Sequence, residues 1–447
     1  MNADNETIAA LSTAVGVGGV AVIRISGDKA SEIAEQMFKP LKKIAVKDFE
    51  PYKMYVGEIA GEGFGDFGMC VYFKAPNSFT GEDVIEFHCH GGIAITRGIL
   101  KKAYSLGARP ANKGEYTKRA FLNGKMSLSS CEGLIDMINS ESVGEVKAGY
   151  YLYREKLTAS VKAIQADITY ALAYIDAGID YPEEDVVEDN ADEIIKAIEK
   201  AEAAISEILK RYGKGRIIKQ GVKVSLLGRP NTGKSSILNR LLDYDKAIVS
   251  SVAGTTRDVV EGEIDINGIR FILSDTAGIR QGADEIEKVG IERAKKVMNS
   301  SDVCLVVLDG SKPLTGEDAE ILKDTEGLNR ILVANKIDEG DASLNVDIKI
   351  SALTGQNFEE LKNMLYEKAC GGEIDLGGDF LTEERHYVAL KKADEILINA
   401  KENFSANTLE LTALDLKTAW DYLGEVSGET ANENIIDEIF DKFCVGK

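Results

Sequence analysis

The string Gly228-Arg229-Pro230-Asn231-Thr232-Gly233-Lys234-Ser235 constrains this 447-residue chain more than any other feature. It satisfies G-x-x-x-x-G-K-[ST], follows the apolar run Val222 to Leu227 directly, and precedes a stretch of helix-forming residues. A strand that turns through glycines into a helix is the setting that phosphate binding requires. The glycines let the backbone curl until its N–H groups face the phosphates, and the helix N-terminus adds partial positive charge. Asn231, Thr232, Gly233 and Ser236 belong to this turn, Lys234 reaches the outer phosphates, and Ser235 offers a hydroxyl to Mg²⁺.

Three further motifs follow in order. Asp275-Thr276-Ala277-Gly278 ends a strand pattern, placing Asp275 near the Mg²⁺ and the Gly278 N–H near the γ-phosphate. Asn335-Lys336-Ile337-Asp338 ends another, at the face where open α/β sheets bind ligands. The Asp338 carboxylate can accept from guanine N1–H and N2–H while the Lys336 stem covers the ring. Adenine has no such donor pair and would leave the carboxylate unpaired. Ser351-Ala352-Leu353, after a last strand, supplies a backbone contact to the base. Together the four motifs specify GTP and exclude ATP.

Between the first two lies Ser250-Ser251-Val252-Ala253-Gly254-Thr255-Thr256, a switch loop whose Thr256 is the natural second Mg²⁺ hydroxyl. After Gly278 comes Ile279, where many GTPases carry a water-orienting glutamine. An isoleucine cannot orient water. Gln281, Asp284, Glu285 and Glu287 are the candidates downstream, and spacing does not choose among them.

A chain of this length implies two or three domains. Residues 1–120 mix β-like runs (Val20 to Ile25, Met69 to Phe73, Val84 to Phe87) with helical spacing from Ile93 to Tyr104, an α+β pattern. Residues 121–217 turn helical: Ile194, Ile198, Ala201, Ile205 and Ile208 recur on one stripe, and Pro182 separates two helices. Gly213-Lys214-Gly215-Arg216 reads as a short linker. Residues 218–372 alternate strand and helix, with near-continuous apolar runs that suit parallel strands covered on both faces. Asn267-Gly268 reads as a hairpin turn that adds one antiparallel edge. In 373–447 helical spacing resumes, with Leu390, Ala393, Leu397 and Ala400 on one stripe. The expected fold is a multidomain α/β and α chain, in which a doubly wound P-loop domain is inserted into a helical domain behind an N-terminal α+β domain.

The formal charge of −21 excludes nucleic-acid binding through the whole-molecule field, so any RNA contact needs a local basic patch or a partner. Six cysteines without a Cys-x-x-Cys pair read as reduced thiols, and His88-Cys89-His90, with no second ligand cluster, reads as structural and not as a metal site. Met1 to Glu6 is polar and acidic, unlike a secretory signal, and no apolar run nears the roughly 20 residues of a membrane span. A cytoplasmic protein without a membrane anchor is expected.

Other strings are more particular than the nucleotide motifs. They are Gly18-Gly19-Val20, Arg24-Ile25-Ser26-Gly27, Asn77-Ser78-Phe79-Thr80-Gly81-Glu82-Asp83-Val84, His90-Gly91-Gly92, Arg119-Ala120-Phe121-Leu122-Asn123-Gly124-Lys125, Gly254-Thr255-Thr256-Arg257-Asp258 and the terminal Phe443-Cys444-Val445-Gly446-Lys447. With them the chain resembles, nearly end to end, the MnmE/TrmE family of tRNA-modification GTPases. It departs from the family pattern at Ala14-Val15 and Lys113, where proline is usual, and at Cys131-Glu132-Gly133, where Ala-Glu-Ala is usual.

The resemblance implies an N-terminal folate-binding and dimerising domain (1–120), a helical domain (121–217 and 373–447) and an inserted GTPase domain (218–372). It implies a homodimer that joins an FAD-dependent partner of the MnmG/GidA kind in a heterotetramer. Together they place an aminomethyl-type (carboxymethylaminomethyl) group on C5 of the wobble uridine of certain tRNAs, with a 5-formyl- or methylene-tetrahydrofolate one-carbon donor. It implies that G domains pair in K⁺, which Asn231 ligates with oxygens around Ser250, Val252 and Thr255. Glu287 matches the family's water-orienting glutamate, Arg24, Glu86, Lys125 and Lys447 its folate contacts, and Cys444 a residue of the modification chemistry. The competing reading is a regulatory GTPase of ribosome assembly, which would have no use for Arg24, Glu86, Lys125 and the Cys444 tail.

Overall fold

The computed structural model describes residues 6–183, 185–245, 261–275, 300–377, 379–406 and 408–446, with the side chains of 243–245, 261 and 275 left aside. The chain forms two compact units. The first is Met1–Ile135, Leu152–Glu202 and Ala389–Lys447; the second is Asp136–Tyr151 and Ala203–Val388. Each of the expected helical stretches, 121–217 and 373–447, therefore contributes to both units.

In the first unit β1 (Ile8–Leu11), β2 (Gly18–Ser26), β3 (Phe38–Pro40), β4 (Met54–Ala60), β5 (Gly65–Phe73), β6 (Val84–Gly91) and β7 (Arg109–Pro110) form one sheet in the order β3-β4-β5-β6-β2-β1-β7. All pairs are antiparallel except β1 with β7. Alternation along the strands makes one face apolar. In β4, Tyr55 and Ile59 are buried while Met54, Val56 and Glu58 are exposed. Ile23, Ile25, Ile85 and Phe87 join them in a core capped by Ile33, Ala34 and Met37 of helix Ala30–Met37 and by Ile99 and Ala103 of helix Ile93–Ser105. The opposite face carries Arg24 of β2 directly across from Glu86 of β6.

Helical periodicity decides the rest of this unit. Helix Lys156–Asp180 buries Leu157, Val161, Ile164, Ile168, Ala171 and Ile175 at three- and four-residue intervals. It packs along helix Leu409–Ser427, where Gln165 donates to the Trp420 carbonyl at 3.2 Å. The helix stops ahead of Pro182, and the next begins at Val186 with Ile194, Ile198 and Ala201 buried. In helix Glu384–Ser405 the stripe Leu390, Ala393, Leu397, Ala400 is fully buried.

The second unit holds β8 (Val222–Leu227), β9 (Glu261–Ile266), β10 (Ile269–Asp275), β11 (Val303–Asp309), β12 (Arg330–Asn335) and β13 (Ile348–Lys349), ordered β13-β12-β11-β8-β10-β9. Every pair is parallel except β9 with β10. That hairpin turns at Asn267-Gly268, whose φ values of 53° and 82° are the positive ones a tight two-residue turn demands. β11 is buried at every position, as a central strand covered on both sides should be.

One expectation fails. Gly213 to Arg216 are not a linker but part of helix Tyr212–Gln220, with the Gly215 N–H bonded to the Arg211 carbonyl at 3.0 Å. A Cβ on Gly215 would lie 2.1 Å from the Leu381 carbonyl oxygen, so this glycine serves close packing and not flexibility. In the same unit the Lys219 ammonium joins Asp136, at 3.0 Å, to Glu383. Burial and then the facing Glu383 carboxylate push Asp136 up to about 8, against the pull of Lys219. Among the described residues no helix is long and apolar enough to cross a membrane.

Candidate functional site

The turn after β8 is built for a ligand that approaches the backbone closely. Gly228, Asn231 and Gly233 have φ of 148°, 64° and 95°. A Cβ on Gly228 would sit 2.3 Å from the Val307 carbonyl oxygen, and one on Gly233 would sit 2.2 Å from Asn335 Nδ2. Successive left-handed turns of this kind aim N–H groups into one concavity, which suits anionic oxygens. Helix Lys234–Asp245 starts there, and its N-terminus adds to the same field. Lys234 is buried and its ammonium donates to the Gly228 and Arg229 carbonyls at 2.8 and 2.7 Å. Ser235 and Ser236 are exposed on the first turn of the helix, and Asn231 is exposed on the loop.

Asn335 ties this turn to the base-recognition loops. It is buried at the end of β12, its Nδ2 donates to the Thr232 carbonyl, and its Oδ1 accepts from the Ala352 N–H, both at 2.9 Å. Lys336 follows at φ 67°, a left-handed bend that carries its ammonium to Asp309 at 3.2 Å. Asp338 is exposed, and its carboxylate accepts from the hydroxyl of the buried Ser351. Leu353 is 79% exposed and free to lie on a planar ring. The motifs separated by a hundred residues in sequence thus meet at the C-terminal ends of β8 and β12, the ligand side of such a sheet.

Three residues unmarked by the motifs complete the arrangement. Asp309, which ends β11, accepts from Ser311 at 2.6 Å and from Lys336. Burial would raise its pKa, but the Ser311 and Lys336 bonds outweigh it and hold the carboxyl below its usual range. Arg240 donates to the Ala352 and Leu353 carbonyls, each at 3.0 Å, and lies over the Phe358 ring. Asp318 caps helix Gly316–Asp324 through Thr315 and pairs with Arg229 of the turn at 2.7 Å. Asp309 had a signal, an acidic residue closing an apolar strand; Arg240 and Asp318 had none.

The first unit brings together a second set of expected residues. Arg24 Nε donates to Glu86 at 2.8 Å, and the pair is only 19% and 13% exposed. The guanidinium lies over the rings of Phe79 and Tyr116, 5.3 and 5.5 Å from their centroids, and the Tyr116 hydroxyl donates to the Arg24 carbonyl. Burial opposes the Glu86 charge, yet His88 and Arg24 hold it below the usual carboxylate range. Tyr116 is fully buried, which leaves the partly buried Phe79 ring beside the ion pair as the surface that would suit a planar ligand with its own donors and a carboxylate tail. The Lys125 ammonium donates to the Pro76 carbonyl at 3.0 Å.

The unusual strings of this unit are joined by one polar network. The buried Ser26 hydroxyl donates to Glu82 at 2.7 Å and shares a bond with Thr80 at 2.8 Å. Arg119 donates to Glu82 at 3.0 Å and to Glu115 at 3.0 Å, while Asn123 donates to the Thr80 carbonyl. The C-terminal tail closes on the same unit. Phe443 is 2% exposed, Val445 pairs with Lys113, and a Cβ on Gly446 would meet the Leu11 carbonyl oxygen at 2.0 Å. Cys444 is exposed, and a pocket of about 290 Å³ opens beside Leu11, Thr13, Val15, Gly18 and Gly91.

Glu287, Ser250, Ser251, Val252, Ala253, Gly254, Thr255, Thr256, Thr276, Ala277, Gly278 and Lys447 lie outside the described residues, as does the side chain of Asp275, the last residue of β10.

The family model "GTP-binding protein TrmE N-terminus" matches residues 7–125, and "MnmE helical domain" matches 128–444. The chain is 38% identical over 458 residues to the "tRNA modification GTPase MnmE" of Natranaerobius thermophilus, covering 99% of each chain. It is 37% identical over 459 residues to the protein of that name from Clostridioides difficile, again covering 99% of each.

The chain belongs to the MnmE/TrmE family. It is a GTPase, and its α+β segment, helical segments and inserted P-loop sheet are those of the family. The Arg24–Glu86 cluster falls within the TrmE N-terminal match, and the nucleotide turn falls inside the span of the helical match.

Proposed function

We propose that this chain hydrolyses GTP to drive tRNA modification. With an FAD-dependent partner of the MnmG/GidA kind it adds an aminomethyl-type group to C5 of the wobble uridine of certain tRNAs, using a tetrahydrofolate one-carbon donor. The observation that carries this reading is the presence, in one chain, of a guanine-nucleotide loop set and of the Arg24–Glu86 pair between Phe79 and Tyr116. A GTPase that only switches partners has no use for the second cluster. The names of the relatives support tRNA as the substrate. Mass spectrometry of tRNA nucleosides from cells lacking the protein should show loss of the modified wobble uridine; an unchanged nucleoside profile removes the reading.

In the nucleotide site the close-approach geometry of Gly228 and Gly233 fits a polyphosphate, and Lys234 would neutralise its outer charges. Ser235 and Thr256 would hold Mg²⁺, with Asp275 near it, and the ion when bound supplies charge neutralisation at the outer phosphates. Asn231, with Ser250, Val252 and Thr255, would hold K⁺ at a paired G domain in a homodimer, in the electrostatic role of an arginine finger. Glu287 would orient water, since Ile279 cannot. Hydrolysis is therefore expected to run faster in K⁺ than in Na⁺. Glu287→Ala should lower kcat by about 100-fold or more with GTP affinity retained. Equal rates in the two salts, or a fully active variant, remove this mechanism.

In the first unit Arg24, Glu86, Lys125 and Lys447 would bind the folate, with Glu86 accepting from a pterin and the cations facing its glutamate tail. Cys444 would serve the modification and not the GTPase, being exposed on a tail whose neighbour Phe443 is anchored. Cys444→Ser is expected to leave K⁺-stimulated hydrolysis intact while wobble-uridine modification falls. Deleting Lys447 should weaken binding of a reduced folate by about tenfold or more, the worth of one charge-assisted contact. Calorimetry with the folate and nucleoside analysis check the pair. Unchanged folate affinity and unchanged tRNA would leave only the GTPase.

A further inference from the structure

A chain with a formal charge of −21 that contacts RNA needs a local basic patch or a partner. Residues 39 to 54 carry five lysines against Asp48 and Glu50, a net of +3 within 16 positions. Lys39, Lys42, Lys43, Lys47 and Lys53 are all exposed, and so is Lys74 at the end of the neighbouring β5. We propose that this lysine-rich edge of the seven-stranded sheet, running from β3 through the following loop into β4, is where the chain grips the phosphate backbone of its tRNA. The proposal rests on the tRNA reading above and assigns it a surface.

The topology puts these lysines on one border. β3 is the outermost strand, pairing only with β4, in the register Lys39↔Glu58. Leu41 folds back on β4 through a 3.0 Å bond from its N–H to the Val56 carbonyl. The Tyr52 N–H bonds the Tyr72 carbonyl at 2.9 Å, which brings Lys53 beside the end of β5 and Lys74.

An ordinary explanation exists for part of this charge. Lysine and proline on an edge strand keep its unpaired backbone from recruiting another strand, and Lys39 and Pro40 do this for β3. It does not account for Lys42, Lys43 and Lys47, which lie beyond the strand, whereas Lys53 pairs with Glu50 at 2.5 Å.

Charge favours RNA as the occupant. The Tyr52 ring packs edge-on against Phe73, and its hydroxyl donates to the Asn77 carbonyl. Asn77 opens the string that carries Phe79, the ring beneath Arg24, and Lys125 reaches the Pro76 carbonyl just before it. Tyr52 thus reaches the 76–79 loop, while the loop that carries Lys42, Lys43 and Lys47 packs through Val46 and the Glu35 carboxylate against helix Ala30–Met37. Exposed lysines act as point charges on flexible stems, suited to phosphates and indifferent to base sequence. Tyr52, 55% exposed, adds a ring at the near end.

The test uses full-length protein and a labelled tRNA transcript with uridine at the wobble position, bound in fluorescence anisotropy over about 50–200 mM salt. Two triple variants are compared with the native chain: Lys42→Ala/Lys43→Ala/Lys47→Ala and the same three positions changed to Glu. GTP hydrolysis and melting temperature should be unchanged in both, since all three side chains are exposed. The alanine variant is expected to bind at least about tenfold more weakly at low salt and to lose about two units of slope in log K against log salt. The glutamate variant should lose more.

The proposal is overturned if the alanine variant keeps native affinity and slope, or if the native chain shows no salt-dependent tRNA binding. It is equally overturned if the variants lose only association with the flavoprotein partner, which would make this an acidic-protein contact. Failure of the underlying reading looks different. Cells lacking the protein would keep the modified nucleoside, whereas a failed surface alone would let the alanine variant restore it fully in such cells.

Discussion

Gly233→Ala should lower GTP affinity by about 100-fold or more in a chain that still folds. Gly233 stands at φ 95°, and its Cβ would lie 2.2 Å from Asn335 Nδ2. A non-glycine residue held left-handed costs about 1–2 kcal/mol. Making room for the methyl displaces the Asn335 amide, whose two bonds, to the Thr232 carbonyl and from the Ala352 N–H, are both buried. Leaving one buried partner unsatisfied costs about 1–3 kcal/mol. At 1.4 kcal/mol per decade the smaller estimates sum to roughly 30-fold, and the middle of the two ranges exceeds about 100-fold. The strain falls on the element that shapes both the phosphate turn and the base loop, so binding suffers more than folding. Calorimetry with a non-hydrolysable GTP analogue measures the loss. Gly213→Ala is the control, because a Cβ there meets nothing within 4 Å and the position is helical. A Gly233→Ala protein within threefold of native affinity would show that the turn tolerates a side chain and that the close-approach reading is mistaken.

The second large effect is a change of base. Asp338→Asn should weaken GTP by about 10- to 100-fold, corresponding to the 1.5–3 kcal/mol of hydrogen bonds to a charged group. It should also raise the affinity for xanthosine triphosphate above that for GTP. Guanine offers N1–H and N2–H donors to a carboxylate, whereas an amide presents a donor at one position and matches the xanthine carbonyl instead. Asp338 is exposed and bonded to Ser351 through one oxygen, so the substitution should leave the fold intact. Competition among the three nucleotides on the native chain and the variant provides the readout. ATP displacing GTP equally from the native chain, or a variant that keeps its guanine preference, would defeat the assignment.

Both effects act on residues that the sequence already marks. The glycines, Lys234 and Ser235 announce themselves because phosphate binding uses contiguous backbone, and a contiguous signal survives in one dimension. The Asn267-Gly268 hairpin, the buried parallel strands and the stripe Leu390, Ala393, Leu397, Ala400 were legible for a related reason. Turn chemistry and the periods of 2 and 3.6 are local.

The two glycines of Gly213 to Arg216 show where local reading stops. Glycine signals either flexibility or close approach, and only the Leu381 backbone lying against Gly215 selects the second. The same limit governs the residues that finish each site. Arg240 reaches the carbonyls of Ala352 and Leu353, over 110 positions away, and Arg119 meets Glu82 across 37. Nothing in the neighbourhood of either arginine names its partner, because a long side chain can satisfy its donors on any acceptor that packing delivers. The lysines from 39 to 53 were visible as letters, yet their gathering at the β3–β4 edge, three strands from β6, followed only from strand order. By itself the sequence determined which elements form, which nucleotide binds and which family the chain resembles, since each is written in short runs of backbone and side-chain chemistry. The tertiary structure alone decided which distant charges pair, which glycines are closely packed and at which sheet edge the lysines gather, because those depend on how the elements are brought together in space.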